Sequence, residues 1–285
     1  MKLALGTVQF GQDYGVANCS GVPDDAALAE ILELARTHGV EILDTAILYG
    51  SAETRLGQMA ITDFGIVTKL PPLDADCPDI GTWVARHIDQ SLTRLRRDRL
   101  DGLLCHNAAD LSHPALAAAF RAAKASGKVL RTGVSIYDPE DLALLIDMEA
   151  LDLVQGPLNV FDQRIISSGW LARLAERGIG FHARSVFLQG SLLMPAETRP
   201  AYFARWAEHF AAWEAWVAET GRSPLAAALT ALGQIAGVEV VVLGVERAVQ
   251  LSEILAAMAQ EPLPLPGHLS SADTNLICPA NWSLP

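Results

Sequence analysis

The sequence has little positive charge. Its 285 residues include 21 Lys and Arg against 33 Asp and Glu, which gives a formal net charge of -12 at pH 7. Nucleic acids and anionic membrane surfaces are bound by clustered cations. The one basic cluster, within residues 94–99, lies among acidic residues and is typical of a solvated helix end. We therefore expect neither a nucleic acid nor a membrane as a partner.

Cysteine and long apolar runs are also scarce. Cys19, Cys77, Cys105 and Cys278 form no CxxC pair and have no histidine at metal-ligand spacing, so we expect reduced thiols and no metal site. No run approaches the roughly 18 consecutive apolar residues of a membrane-spanning helix. Residues 1–5 do not begin a signal-peptide apolar region. These absences predict a cytoplasmic protein.

Apolar residues make up 51% of the chain and charged residues 19%, which is typical of a globular protein with a large core. Short strand-like runs alternate with longer helical ones. The strands are predicted at 3–6, 40–43, 64–68, 100–104, 129–133, 153–155, 180–184 and 239–243. The helices are predicted at 24–38, 79–95, 113–126, 139–148, 166–177 and 248–258, with another from about residue 51 and two between the last two strands. Eight strand–helix units without a linker favour a closed (β/α)8 TIM barrel, a single domain over residues 1–285, with an open doubly wound sheet as the alternative.

The segments around the last predicted strand differ from the rest. Between the seventh and eighth strands, aromatic residues recur at three- and four-residue spacing: Tyr202, Trp206, Phe210, Trp213 and Trp216. We interpret this stripe as a helix face packing on the barrel, with a substrate platform as the alternative. The C-terminal tail, residues 260–285, contains prolines that prevent regular helix, namely Pro262, Pro264, Pro266 and Pro279. We predict an irregular tail near the barrel mouth.

Four ionisable residues stand where strand-like runs give way to loops. Asp44 and Tyr49 follow the second predicted strand, Lys69 follows the third, and His106 follows the fourth. Barrel active sites lie at these carboxyl ends, and buried Lys and Asp are rarely found unpaired. Taken alone, Asp44 fits a turn cap and His106 fits a core histidine. Together the four predict acid–base chemistry, since an ammonium beside a phenol favours release of the phenolic proton.

The motifs that carry these residues resemble one known family. They are GTVQFG at 6–11, DTAILYG at 44–50, Thr68-Lys69, and LCHN at 104–107, and they resemble the aldo-keto reductase family. The resemblance implies a (β/α)8 barrel, a nicotinamide cofactor bound without a Rossmann domain, and reversible reduction of aldehydes or ketones. It also implies that Tyr49 is the proton donor, that Lys69 makes it a better acid and pairs with Asp44, and that His106 orients the carbonyl.

The same resemblance implies the cofactor contacts. Ser135 and Gln155 match carboxamide-binding positions, and Gly6 and Thr7 match the turn beneath the ribose. Residues 185–190 resemble a loop that crosses the pyrophosphate, and the glycine-containing turn at 244–247, which opens a helix, resembles a phosphate and adenosine site. The implied contacts in these regions are Arg184, Ser185, Phe187, Gln189, Gly190, Gly244, Val245, Arg247, Gln250 and Glu253.

Some positions depart from the family pattern. Ile136 replaces an asparagine that usually follows the serine, so one amide contact is missing or comes from elsewhere, with Asn159 as a candidate. Arg184 replaces an aromatic that stacks on nicotinamide, and it would stack in its place or hold an anionic substrate or a cofactor phosphate. Arg247 suits a 2′-phosphate although Glu246 opposes it, so NADP(H) is favoured over NAD(H). Ile254 replaces an asparagine that commonly reads adenine.

Several functional hypotheses follow for a small-molecule partner. The leading one is an NAD(P)H-dependent oxidoreductase, and the segments 6–16 and 154–159 resemble bacterial family members of sugar or surface-polysaccharide metabolism. A carbohydrate would use polar loop groups and Arg184, whereas an apolar carbonyl would use Trp83, Trp282 and the tail. The alternatives are a slow cofactor-sensing binding protein on the same barrel and a non-redox phosphate-binding isomerase. Substrate identity, direction and oligomeric state depend on loops and surfaces, so the sequence makes no prediction of them.

Overall fold

Eight parallel strands close into a barrel in chain order in this computed structural model, which describes residues 2–18 and 20–284. Each strand pairs with the next, and β8 pairs with β1. The strands are β1 Lys2–Gly6, β2 Ile42–Asp44, β3 Gly65–Leu70, β4 Leu100–Cys105, β5 Val129–Ser135, β6 Leu153–Pro157, β7 Gly180–Arg184 and β8 Val240–Gly244. The predicted (β/α)8 barrel is confirmed. Cys19, one of the four predicted free thiols, lies outside the described residues.

Helices follow the strands around the outside of the barrel. The α-helices are α1 Asp25–Thr37, α2 Ala52–Gln58, α3 Ile80–Leu95, α4 Ala108–Leu111, α5 Pro114–Ala125, α6 Arg164–Ser167, α7 Trp170–Glu176, α8 Ala207–Thr220, α9 Pro224–Leu232, α10 Ala248–Met258 and α11 Thr274–Ile277. Asp24 and Asp79 begin α1 and α3 by accepting hydrogen bonds from backbone N–H groups three residues on. No helix within the described ranges is both long and apolar enough to cross a membrane.

Three helical predictions need correction. The predicted helix at 139–148 is a short 3-10 helix, Pro139–Leu144, because the Leu142 carbonyl accepts from two successive N–H groups and ends it. The predicted helix at 166–177 is split into α6 and α7 by Gly169, whose φ of 79° is left-handed. The tail is less irregular than predicted: α11 forms one turn, because it lies between prolines and Asp273 caps it.

The barrel interior is layered. One small apolar layer, separate from the large core between strands and helices, is formed by Ile42, Val67, Leu104 and Leu153. Side chains alternate along a strand, so residues two positions on share the same interior face. Those residues are Asp44, Lys69, His106 and Gln155. Strand periodicity therefore places four polar side chains in one layer at the carboxyl ends of the strands. We call the layer of Ile42, Val67, Leu104 and Leu153 beneath it the apolar floor.

The aromatic stripe packs the tail onto the barrel. Phe210 and Trp213 are buried. The Tyr202 hydroxyl donates to the carbonyl of Asn275 at 2.9 Å, and Trp206 Nε1 donates to Asp273 Oδ2 at 2.9 Å. These contacts support the interpretation of the stripe as a packing face, because the aromatic side chains bind the C-terminal tail of the same chain.

Candidate active site

A cavity of about 590 Å³ opens at the carboxyl ends of the strands, where the four ionisable residues lie. Asp44, Tyr49, Lys69 and His106 all line it. So do all the residues that the family resemblance implies for the cofactor: Gly6, Thr7, Ser135, Gln155, Arg184, Ser185, Phe187, Gln189, Gly190, Gly244, Val245, Arg247, Gln250 and Glu253. The structure thus brings every predicted site residue to one cavity. None of the stripe aromatics, Trp83 or the described part of the tail lines it.

Lys69 is held as a buried cation. Its Nζ donates to Asp44 Oδ1 at 2.6 Å and to the Thr45 carbonyl at 2.9 Å, and its side chain is 1% exposed. The same Nζ lies 5.1 Å from the ring centroid of Tyr49. Burial favours the neutral amine, but the charge of Asp44 and the contact with Tyr49 outweigh it and raise the pKa of Lys69. An ammonium is therefore fixed beside the phenol.

Asp44 is fixed at both carboxylate oxygens and at its carbonyl. Its second oxygen, Oδ2, accepts from Gln155 Nε2 at 2.6 Å. Its carbonyl accepts from the Thr7 backbone N–H at 2.9 Å and from Thr7 Oγ1 at 3.0 Å. The sequence placed Gln155 and Thr7 at the cofactor and gave no sign of these bonds. Gln155 therefore holds the carboxylate that pairs with Lys69, and Thr7 holds the backbone carbonyl of the same residue.

His106 faces Tyr49 as a neutral imidazole. The two ring centroids are 6.4 Å apart with the rings at 88°. Burial, with the positive charges of Lys69 and Arg184, lowers the pKa of His106 to about 4. Its Nδ1 is buried and has no hydrogen-bond partner among the described residues. Near neutral pH the ring therefore carries one N–H, which can donate to a carbonyl oxygen placed between it and Tyr49.

Arg184 ends β7 and is held from three sides. Its Nη2 donates to the Ile136 carbonyl at 2.8 Å, its Nη1 donates to Ser185 Oγ at 3.2 Å, and its guanidinium lies 4.5 Å from the ring centroid of Tyr137. One face of the guanidinium is thus already stacked. Tyr137 also lines the cavity and was not predicted from the sequence. Its position two residues after Ser135 would have placed it on the same face.

Asn159 does not replace the missing amide contact. Its Nδ2 donates to the Ser185 carbonyl at 3.0 Å, and its Oδ1 accepts from the N–H groups of Phe161 and Asp162, each at 2.9 Å. The side chain is fully buried and does not line the cavity. Ile136 is also buried, within the apolar core. The loop after β6 therefore uses the Asn159 amide to support the backbone that follows Arg184.

Two loops that line the cavity, around residues 14–17 and 185–190, are joined by hydrogen bonds. The N–H of Val16 donates to the Gln189 carbonyl at 3.1 Å, and Gln189 Nε2 donates to the Tyr14 hydroxyl at 3.1 Å. Ser185, Gln189 and Gly190 have left-handed φ values of 61°, 53° and 91°. Tyr14 and Gln9 also line the cavity; both lie in the quoted segment 6–16, of which only Gly6 and Thr7 were expected to contact the cofactor.

Gln9 lines the cavity and packs against Gly244. Its Oε1 is buried and has no hydrogen-bond partner among the described residues. A Cβ placed at Gly244 would lie 2.4 Å from this oxygen, so the absence of a side chain there leaves room for the amide. A buried acceptor without a partner is costly.

The far end of the cavity lies at the start of α10. Gln250 Oε1 accepts from the N–H groups of Glu246 at 2.7 Å and Arg247 at 3.0 Å. These two donors are thus unavailable to a phosphate, contrary to the expectation that this turn would offer its backbone N–H groups. Arg247 is exposed and pairs with no described carboxylate. Burial raises the pKa of Glu246, the acidic residue beside it.

The sequence matches a known protein family over most of its length. A family model described as Aldo/keto reductase family matches residues 2–265. A 6-dehydroglucose reductase of Novosphingobium aromaticivorans is 28% identical over 217 residues, covering 69% of this chain and 70% of that protein. An uncharacterized oxidoreductase of Bacillus subtilis is 30% identical over 181 residues, covering 51% of this chain and 60% of that protein, which is less than two thirds of its length.

Solved structures share the architecture. An aldo-keto reductase from Bacillus halodurans, in its holo form, superposes with a TM-score of 0.75 at 19% identity, covering 95% of this chain and 92% of that chain. A glycerol dehydrogenase from Gluconobacter oxydans superposes with a TM-score of 0.71 at 20% identity, covering 92% and 87%. At these identities the likeness bears on the fold alone.

Proposed function

This chain belongs to the aldo/keto reductase family and is an oxidoreductase, and from that premise we propose that it uses NADPH to reduce a polar, sugar-derived aldehyde or ketone reversibly, with Tyr49 as the proton donor. The observation that carries the proposal is the placement of the Lys69 ammonium, 2.6 Å from Asp44 Oδ1 and 5.1 Å from the Tyr49 ring centroid. Stability alone does not account for this ion pair, because a buried ion pair often stabilises a fold no more than apolar residues of the same volume. It acts on the phenol.

The residues of the cavity fit a nicotinamide cofactor. The cavity, of about 590 Å³, is lined by every residue that the family resemblance implies for the cofactor, and Gly244 leaves room there for the Gln9 amide. We assign the nicotinamide end to Ser135 and Gln155 and the phosphate end to the left-handed loop at 185–190 and to Arg247. When bound, the cofactor supplies the hydride that reaches the carbonyl carbon.

Tyr49 and His106 complete the reduction at the carbonyl oxygen. Negative charge develops on that oxygen in the transition state, and Tyr49 neutralises it by donating its hydroxyl proton. The neutral His106 donates a hydrogen bond to the same oxygen and orients it. Lys69 stabilises the phenolate that remains, and Asp44 keeps the ammonium in place. In the reverse direction the phenolate takes the proton back.

A polar substrate is favoured over an apolar one by the lining of the cavity. Trp83 is buried in α3, and Trp282 packs edge to face on Phe203 with ring centroids 4.9 Å apart, so the aromatics expected to hold an apolar carbonyl are engaged elsewhere. Tyr14, Gln12 and Arg184 line the cavity instead. The name of the Novosphingobium relative, which refers to a dehydroglucose, points the same way.

NADPH is proposed over NADH on the strength of Arg247. Its side chain is exposed at the cavity and has no carboxylate partner in the described part of the chain. A guanidinium binds a phosphate monoester bidentately. Glu246 is the opposing charge, so the preference for NADPH rests on the guanidinium of Arg247. An Arg247→Gln variant should lower affinity for NADPH and leave affinity for NADH unchanged.

The proposal is tested in two steps. Protein fluorescence is titrated with NADPH and then NADH, and the reduction of sugar aldehydes is followed by loss of NADPH absorbance. We expect saturable binding, tighter for NADPH, and turnover that falls about 100-fold to 10,000-fold in Tyr49→Phe while cofactor affinity is kept. Tyr202→Phe, which alters only a tail contact, is the matched control and should keep its turnover.

Two outcomes would contradict the proposal. Tight cofactor binding without Tyr49-dependent turnover on any carbonyl would favour the cofactor-sensing alternative, a binding protein on the same barrel. No binding of either dinucleotide would remove the oxidoreductase mechanism and leave a non-redox reaction to be sought.

A further inference from the structure

The last residue of β7, Arg184, places a positive charge in the cavity that contains His106 and Tyr49. Phe181 and Ala183 are buried in the core between strands and helices. The intervening residues, His182 and Arg184, therefore face the barrel interior, because side chains alternate along a strand. Arg184 is the last residue of the strand and lines the cavity with His106. Its positive charge is close enough to help lower the pKa of His106.

The guanidinium of Arg184 is oriented before any ligand arrives. The carbonyl of Ile136 and the hydroxyl of Ser185 each accept one of its N–H groups, and the Tyr137 ring supports one face. A guanidinium has five N–H donors in a fixed fork. The remaining N–H donors are therefore free to bind a ligand. Because the side chain is already ordered, ligand binding costs little additional side-chain entropy.

The charge of Arg184 is not balanced by the protein. Within residues 2–18 and 20–284 no carboxylate lies within ion-pair distance of it, whereas Lys69 is paired with Asp44. His106 is neutral, so Arg184 leaves this end of the cavity with net positive charge. This occurs in a chain with a net charge of -12, where many carboxylates were available as partners. An unpaired, oriented cation in a concave site fits an anionic ligand.

The position of Arg184 separates two sources of that anion. The proposed phosphate contacts of the cofactor are Arg247, at the start of α10, and the loop at 185–190, whose Ser185 hydroxyl accepts one N–H of Arg184. The charge of Arg184 also acts on His106 and helps lower its pKa, so the guanidinium lies near the residues proposed to bind the carbonyl. A guanidinium beside a nicotinamide would also oppose its oxidised, cationic form. We propose that Arg184 binds a carboxylate on the substrate, so that the enzyme acts on carbonyl compounds bearing an acid group, of which an aldehydic sugar acid is the leading class. This inference rests on the proposed function.

The test compares substrates that differ by one carboxylate. Two matched pairs are used: D-glucuronate with D-glucose, and 4-oxobutanoate with butanal. The ratio kcat/KM is measured with NADPH for the wild-type protein, for Arg184→Met, and for Arg184→Lys, which keeps the charge and loses the fork. Arg177→Met removes an arginine paired with Asp147 outside the cavity and serves as the matched control.

We expect the wild-type protein to prefer the acid of at least one pair by roughly 10-fold to 100-fold, the range expected for a charge-assisted hydrogen bond. Arg184→Met should lose that preference through a higher KM for the acid, which is read as the ratio of kcat/KM between the two members of each pair. Arg184→Lys should keep part of the preference, and Arg177→Met all of it. Thermal unfolding of each variant checks that the barrel is folded.

Three results would overturn the inference. The first is a wild-type protein that reduces neutral and acidic partners equally in a Tyr49-dependent reaction, which would leave the proposed function standing. The second is an Arg184→Met variant that weakens NADPH binding more than tenfold with the substrate preference unchanged, which would assign the arginine to a cofactor phosphate. The third is the absence of Tyr49-dependent reduction of any carbonyl, which would remove the proposed function as well.

Discussion

Gln155 Nε2 donates a hydrogen bond to Asp44 Oδ2 at 2.6 Å, across the barrel interior from β6 to β2. The bond ties a residue expected at the cofactor to the carboxylate that holds Lys69. Both side chains are buried, with Gln155 at 1% and Asp44 at 3% exposure. The cation beside the phenol is thus positioned by a chain of contacts that begins on the far side of the barrel.

We expect Gln155→Leu to destabilise the protein and to lower turnover. The substitution leaves Asp44 Oδ2 without its donor, and a buried unpaired acceptor costs about 1–3 kcal/mol, more for a charged group. Urea unfolding measures the loss of free energy, with Gln260→Leu, at an exposed position, as control. Unchanged stability in Gln155→Leu would show that the bond does not hold Asp44.

Lys69→Met should abolish turnover and cost about 3–5 kcal/mol of unfolding free energy, because it leaves the Asp44 carboxylate buried without its cation. Adding Asp44→Leu removes the stranded charge, so the double variant should recover part of the stability and none of the activity. A double-mutant cycle by urea unfolding, with turnover measured in parallel, separates the two effects. Recovery of turnover in the double variant would exclude a chemical role for Lys69.

Stability should fall on acidification because of His182. Its ring is fully buried, and neither nitrogen has a hydrogen-bond partner among the described residues, with Nε2 4.0 Å from Glu239 Oε1. Burial outweighs the charge of Glu239 and lowers the pKa of His182 to about 4. In the unfolded chain the ordinary pKa is 6.5. Between these values the unfolded state binds the extra proton, so the unfolding free energy is intact above about pH 6.5 and declines toward pH 4, by on the order of 3 kcal/mol.

This decline is measured by urea unfolding at a series of pH values. His182→Gln should show a shallower decline than the wild-type protein, while His268→Gln, which changes an exposed histidine, should show the same decline. An identical pH dependence in wild-type and His182→Gln proteins would exclude His182 as the cause.

Gly244→Ala should weaken NADPH binding. The added Cβ would lie 2.4 Å from Gln9 Oε1 and 2.7 Å from Gln9 Nε2, so the amide must move from its place in the cavity. Fluorescence titration measures the change, with Gly267→Ala as control, since no atom lies within 4 Å of the Cβ added there. Equal affinities in the two variants would count against a cofactor contact at Gln9.

The sequence predicts the barrel and its chemical layer for a physical reason. Strand runs that end in Asp44 and Lys69 break a strong apolar pattern, and a period of two fixes the side on which those residues emerge. Contacts between side chains from distant strands leave no such pattern. The bond between Gln155 and Asp44 depends on barrel closure, and the stacking of Arg184 on Tyr137 depends on loop geometry.

Two amide side chains show the same limit. Asn159 was a candidate for the missing amide contact, yet it is bonded to its own loop. Gln250 lines the cavity as the family resemblance implies, and its Oε1 also accepts from the backbone at the start of α10. An amide side chain satisfies backbone groups as readily as ligands. Only the three-dimensional arrangement separates these uses, whereas the split of α6 from α7 carried a local signal in Gly169.

The apolar floor beneath the polar layer has a consequence for proton traffic. Val67, Leu104 and Leu153 are at most 1% exposed, and they separate Asp44 and Lys69 from the amino-terminal end of the barrel. These three side chains offer no polar group to a proton, and the buried His182, which also faces the interior, has no hydrogen-bond partner among the described residues to relay one. In the proposed reduction, the proton that Tyr49 gives up would therefore return from the bulk through the mouth by which the substrate enters, so that reprotonation alternates with substrate occupancy.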